Sequence, residues 1–343
     1  MSSCLDQAES ENLGALETIF SFTDRLLLSD IPEIAALSDV AYLKPEWQTV
    51  VKEMFVTLRD RIADILSNGI ESGELRPCVP NVAAAATIGM VEWLPMASRW
   101  PTLGLVSKYD LIHALKTIIR VGVAADREAP ANYDILAPLP LMIPAVKIFD
   151  TDVLASARRE AILAKASWLF NLKGIDSTSL DEIADQLGVT RKVIYHNVGD
   201  KPTLVGECYR RSFKLYEQIA QRLTAIDGPK INMVAATAYA NAEATLRTDI
   251  APLEPLAGFE VVPDEVKDEI SITTARLINT YLGIYEQGQA EGSIRNLNSR
   301  SILSMRPGTH EWLRIWIDTF SEEDISKAPR EIAEITRIGL KAI

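Results

Sequence analysis

The chain has 343 residues, 48% of them hydrophobic and 24% charged, which is enough for about two domains with substantial buried cores. Lys and Arg number 35 against 47 Asp and Glu, and the resulting formal charge of -12 excludes a polyanion-binding surface spread over the whole molecule. Cys4, Cys78 and Cys208 lie far apart with no CxxC and no Cys/His ligand spacing, so neither a disulfide framework nor a metal site is expected.

The N-terminal residues lack a basic start followed by an apolar run, so no secretory signal is read there. The longest apolar stretch, 82–100, is interrupted by Glu92 and Pro95 and reads as a buried helix rather than a membrane span. A cytoplasmic protein without a membrane partner is the expectation.

Helical periodicity runs through most of the chain and strand-like alternation is nearly absent, so the expected fold is all-α. A first helical domain is read over 1–126. Pro130, Pro138, Pro140 and Pro144 then crowd one segment, which predicts a linker over 127–153. The apolar content of that linker predicts that it lies against a neighbouring domain. A compact helical unit follows over 154–206, and a second large helical domain over 207–343.

The two large domains resemble one another. A shift of 219 residues places Gly69 on Gly288, Gly73 on Gly292, Arg76 on Arg295 and Gly89 on Gly308, and without a gap sets Glu92-Trp93-Leu94 on Glu311-Trp312-Leu313. At a shift of 217, Arg120-Val121-Gly122 meets Arg337-Ile338-Gly339. An internal duplication is therefore expected, with its late helices pairing inside one chain, because a linker of this length makes their association intramolecular. A homodimer remains the alternative.

The unit between these domains carries the most specific signal. Ile162, Leu163, Ala166, Leu169 and Phe170 form a one-sided stripe, and Gly174 follows as a stop. Ser179 and Glu182 stand in capping-box spacing ahead of Leu180, Ile183, Ala184 and Leu187. Gly188-Val189-Thr190 then fits a short turn into a third helix, Arg191 to His196, with Ala184 small enough for a steep crossing and Val189 and Ile194 expected to fill the shared core. This is the pattern of a helix-turn-helix, whose last helix enters the DNA major groove. The charge agrees: 156–215 holds ten Lys/Arg against seven Asp/Glu, so the segment is positive within an acidic chain.

Ile183-Ala184-Asp185-Gln186-Leu187-Gly188-Val189-Thr190-Arg191-Lys192-Val193-Ile194-Tyr195-His196, followed by Lys201 and Leu204, resembles the DNA-binding domain of TetR-family transcriptional regulators. The resemblance implies two TetR-like ligand and dimerisation domains around one helix-turn-helix, with no such motif ahead of the first. It further implies a ligand-responsive regulator, usually a repressor, with double-stranded operator DNA and a small apolar effector as partners. Arg191, Lys192, Val193 and Tyr195 would face base edges, and Ser179, Thr190, His196 and Lys201 would contact phosphates. Three features depart from the usual pattern: Asn197 stands where an aromatic or His is common, Val198 where Phe is usual, and Gly199 loosens the start of the next helix.

Trp93, Trp312 and His310 are the candidates to line an effector cavity, with core or interface packing as the competing role for the tryptophans. No Gly-rich phosphate loop, nucleophile elbow or metal-ligand pair is present, so neither enzyme activity nor a cofactor is expected. The competing class is a helical sensor or scaffold that has lost DNA binding.

Overall fold

The computed structural model describes residues 1–28, 40, 43–99, 106–133, 136, 139, 151–254 and 262–343, with the side chains at 45 and 95–99 excepted. Most of the expected linker therefore lies outside the described residues, as does Trp100. Of its described part, Tyr133, Leu136 and Leu139 are buried, and Arg337 Nε donates to the Tyr133 hydroxyl at 3.1 Å.

Every regular element among the described residues is helical. The first half contains α1 (Ser2–Glu9), α2 (Ala15–Leu28), α3 (Pro45–Glu71), α4 (Pro80–Arg99) and α5 (Lys108–Val121). A small unit follows: α6 (Thr151–Lys173), α7 (Leu180–Leu187) and α8 (Arg191–Val198). The second half continues through α9 (Lys201–Thr224), α10 (Lys230–Leu246), α11 (Asp264–Ala290), α12 (Ser299–Met305), α13 (Leu313–Trp316) and α14 (Glu322–Ile338).

Helix boundaries follow local chemistry. Pro45 opens α3 in its first turn, where a missing N–H costs nothing. Ser107 and Ser321 cap α5 and α14 by accepting from the amides of Asp110 and Asp324, each at 3.1 Å. The start of α2 is held by a distant residue: the Glu74 carboxylate accepts from the amides of Ala15 and Leu16 at 2.7 and 3.0 Å. At the equivalent place in the second half, Glu291 and Ser293 accept from the first amides of α10.

The seam between the halves is built from reciprocal bonds. Val123 N donates to Thr336 O at 3.0 Å and Leu340 N to Ile119 O at 2.7 Å. Ala124 N donates to Arg337 O, and Lys341 N to Arg120 O. Arg76 N donates to Leu340 O, and Arg295 N to Val123 O; Ala125 N donates to Ser293 O, and Ala342 N to Glu74 O. Exchanging each residue for its counterpart at 219 or 217 residues' distance turns the first bond of each pair into the second.

Glycine permits this approach at two points. Gly122 and Gly339 both have positive φ, and a Cβ would stand 2.3 Å from Arg337 O at the first and 2.4 Å from Val121 N at the second. The tryptophans are also exchanged. A Cβ on Gly89 would meet Trp312 at 2.6 Å, and one on Gly308 would meet Trp93 at 2.8 Å. The two Glu-Trp-Leu segments thus pack against each other's half of the chain.

Candidate nucleic-acid interface and effector cavity

The DNA-binding unit is held by a small apolar core. Phe170 and Ile183 are buried under α6 and α7, and Ile194 and Val198 anchor α8 from one side. Ser179 Oγ accepts from Glu182 N at 3.0 Å and begins α7; the Glu182 carboxylate reaches Lys173 instead of closing a capping box. Gly188, with φ 65° and ψ 31°, ends α7 in the left-handed region that an L side chain enters at a cost, and no neighbour crowds it.

The opposite side of α8 is open. Thr190, Arg191, Lys192, Tyr195 and His196 are exposed, and Val193 is half-buried. Tyr195 is 62% exposed, far more than a tyrosine retained for packing would be. Arg191 pairs with Asp181 at 3.2 Å, with both side chains in solvent, where such a contact is worth little and is readily exchanged for phosphate or base. Ser179 is exposed at the start of α7, and Lys201 lies half-buried past the end of α8, its Nζ donating to Asp176 O at 3.3 Å. Of the eight expected residues, six are exposed and Val193 and Lys201 are half-buried.

Three expectations for this unit need correction. The third helix runs to Val198, two residues beyond His196. Val189 does not fill the shared core: it sits on the outside of the turn at 36% exposure, and Ile194 alone fills that space. Gly199 does not loosen the next helix, because the Asp200 carboxylate accepts from Thr203 N at 3.0 Å and Pro202 stiffens the first turn of α9.

In the second half a cavity of about 160 Å³ opens between α9, α10, α11 and the 303–311 segment. Trp93 and His310 line it, together with Phe213, Leu277, Tyr281 and Arg306. Trp93 arrives from the first half, its indole N–H donating to Ser304 O at 2.8 Å. Trp312 is not part of the lining. It is fully buried against Gly89 and Phe320, and its Nε1 donates to Thr309 O.

Burial controls the charge of this cavity. The His310 imidazole is pushed down to about 3, by desolvation first and then by Arg306 and Arg314, so the ring is neutral at ordinary pH. The Glu311 carboxyl is pushed well above its ordinary value, by desolvation first and then by Glu254, against the opposing pull of Arg314. Periodicity alone gave no reason to select Arg306, Tyr281, Thr274 or Asn241. A signal was nonetheless present in the internal comparison, because at the 219-residue shift Arg306, Tyr281 and Thr274 correspond to Thr87, Ile62 and Phe55, so two of the three replace an apolar residue with one bearing a polar group.

A helix-turn-helix with an open, basic recognition helix defines a DNA-binding protein, here joined to a helical domain with an internal cavity. Residues 162–208 match the family described as bacterial regulatory proteins, tetR family, and residues 24–100 match the tetracyclin repressor-like C-terminal domain. The protein accordingly carries two TetR-family domains. The C-terminal type of domain lies ahead of the DNA-binding one in this chain.

Among curated relatives, the HTH-type transcriptional repressor KstR2 of Mycolicibacterium smegmatis is 26% identical over 155 residues, covering 43% of this chain and 72% of the relative. Among solved structures, the TetR-family regulator PfmR of Thermus thermophilus is 18% identical with a TM-score of 0.43, over 51% of this chain and 96% of the other. AibR, solved with isovaleryl coenzyme A and operator DNA, is 18% identical with a TM-score of 0.42, over 52% and 98%. No described helix is long and apolar enough to cross a membrane, and no described cluster of His, Cys, Asp or Glu is arranged to hold a metal.

Proposed function

We propose that this protein is an effector-controlled repressor that reads duplex DNA through α8. Arg191, Lys192, Val193 and Tyr195 face base edges, while Ser179, Thr190, His196 and Lys201 hold the phosphate backbone. The observation that carries this reading is the two-sided character of α8: Ile194 and Val198 are sealed in the core, and Tyr195 and the basic residues face solvent.

The effector site in this proposal is the second-half cavity, with operator DNA and a small effector as partners; KstR2 is described as an HTH-type transcriptional repressor, and AibR was solved with isovaleryl coenzyme A and operator DNA. The reciprocal seam supports a pseudo-dimer within one chain, spanning domains at 1–126 and 207–343 around a DNA-binding unit at 154–206. Such a chain offers one recognition helix, whereas a palindromic operator presents two half-sites about 34 to 36 Å apart. Full operator occupancy then takes two chains.

The test is a salt titration of binding to duplex DNA from the promoter beside the gene. Affinity falls steeply with salt for the wild type, and Lys201→Ala weakens all sequences alike with a shallower slope. Arg191→Ala and Tyr195→Ala relax sequence preference, since a base-reading contact is worth about 1 to 3 kcal/mol. Equal binding by the wild type and an Arg191, Lys192, Lys201 triple-alanine variant across the titration refutes the proposal.

A further inference from the structure

The cavity holds a cation that no described carboxylate neutralises. Arg306 is 6% exposed, and its Nη1 has no hydrogen-bond partner among the described residues. Its guanidinium lies over the Tyr281 ring, 4.9 Å from the centroid, and no ion pair to a carboxylate is formed among the described residues. A buried guanidinium left this way is costly, because desolvation is not offset by a counter-charge. Thr274 Oγ1 and Asn241 Oδ1 on the same cavity wall are likewise sealed from solvent without partners among the described residues. Arg306 Nη1, Thr274 Oγ1 and Asn241 Oδ1 are thus three polar atoms around one cavity without partners among the described residues, while the rest of the Arg306 guanidinium interacts with Tyr281 and Tyr285.

Trp93, Phe213, Leu277, Ile278, Leu303 and Pro307 give the wall its apolar part, and burial acts on its two groups nearest in sequence to Arg306 in the direction of their neutral forms, pushing the His310 imidazole down to about 3 and the Glu311 carboxyl well above its ordinary value. At about 160 Å³ the space is below the usual range for drug-sized ligands and close to that of an engineered cavity that accepts benzene. The first half offers no such chemistry at the equivalent positions on α3 and α4, where Phe55, Ile62, Thr87 and Val91 are all buried.

We propose that the cavity takes a compact organic acid, its carboxylate accepting hydrogen bonds from Arg306 and its ring-sized apolar body lying among Trp93, Leu277 and Leu303. This rests on the reading of the cavity as the effector site and specifies the chemistry of the effector. Trp93 makes the site depend on both halves of the chain.

The test is calorimetric titration of the full chain with benzoate and cyclohexanecarboxylate, set against the neutral benzamide and toluene. Both acids bind the wild type about tenfold or more tightly than benzamide, the difference expected for a charge-assisted hydrogen bond. Arg306→Met levels that preference while toluene still binds. This variant folds, with a melting temperature no lower than wild type, because it removes an uncompensated charge at similar volume. Arg306→Lys keeps part of the preference. Equal affinities for benzoate and benzamide in the wild type, or a preference that survives Arg306→Met, overturn the acid and leave the effector cavity standing. Silence from all four probes overturns both the acid and this cavity as a binding site. Duplex-DNA affinity with and without benzoate is read separately, so a bound acid that leaves DNA binding unchanged refutes only its regulatory role.

Discussion

The two halves place helices of matching length, α3 and α11 with 27 residues each, in similar surroundings, yet fill the space behind them differently. In the first half, Phe55 stacks on Trp316 at 4.5 Å, and Phe22 and Ile62 close the interior. In the second, Thr274 and Tyr281 occupy the places of Phe55 and Ile62, and a cavity remains. One backbone arrangement thus carries either large apolar side chains or polar cavity-lining ones at matched positions among the described residues, and the difference lies in a few side chains whose volume and polarity differ. The seam follows the opposite rule: there the halves are nearly interchangeable, because backbone bonds exchanged in pairs tolerate little variation on either side.

The strongest way to break this comparison is at the shared seam. Gly122→Val forces a branched side chain into positive φ and against Arg337 O, and should cost about 4 kcal/mol or more, combining backbone strain with overpacking. Gly73→Ala also carries positive φ, but its Cβ would meet nothing within 4 Å, so about 1 kcal/mol is expected. Denaturant unfolding separates the two. Equal losses would show that conformation alone, rather than the close approach of the halves, sets the cost at Gly122.

A second test uses an ion pair that only one side of the seam possesses. Arg76 Nη2 meets Glu331 at 2.7 Å with both side chains largely buried, and Arg76 Nε also donates to Gly339 O. Its counterpart Arg295 donates to Ala124 O, and the residue equivalent to Glu331 is the buried Ala114. Arg76→Met strands the Glu331 carboxylate and should cost about 3 kcal/mol, whereas Arg295→Met should cost roughly 1 kcal/mol. Unfolding midpoints that fall equally in the two variants would rule out a stabilising role special to the pair.

The matched glutamates sharpen the comparison through pH. Glu311 shares its surroundings with Glu254 and Arg314, whereas the Glu92 Oε2 is sealed without a partner among the described residues and its carboxyl is pushed up to about 8 by desolvation. A raised acid favours the fold below its unfolded value of about 4.5, and that stability is lost as pH rises through 8. Between pH 6 and 9 the wild type should lose about 2 to 3 kcal/mol on this account, and Glu92→Gln should flatten that part of the curve. A wild-type profile that the substitution leaves unchanged would contradict a protonated Glu92.

Much of this organisation is legible in the sequence, because it rests on features that repeat or punctuate. The shift that aligns Gly89 with Gly308 also aligns the ends of α3 and α11, and Ser179 with Gly188 brackets α7. The helix-turn-helix could be read because its geometry demands particular residue types at fixed spacings. The cavity could not be read in the same way, since whether Arg306 is paired depends on distant residues that no local pattern brings together. Trp312 illustrates the same limit: its spacing suits a cavity wall, but the small Gly89 on the opposing half draws it into solid packing.

The smallest effects lie in the one unit that has no counterpart in the first half's described helices, where two N-caps of similar chemistry do different work. Ser179 Oγ accepts from Glu182 N, whereas Thr190 at the start of α8 makes no side-chain capping bond. Ser179→Ala should therefore cost about 1 kcal/mol of stability and Thr190→Ala close to none. Both residues are exposed, and on the proposed reading of α8 both substitutions should weaken duplex binding by loss of a phosphate contact. Thermal unfolding and DNA titration on the same two variants distinguish these roles. Because its hydroxyl makes no capping bond, Thr190 is the cleaner probe: unchanged DNA affinity in Thr190→Ala would remove it from the phosphate contacts, with no folding defect to confuse the result.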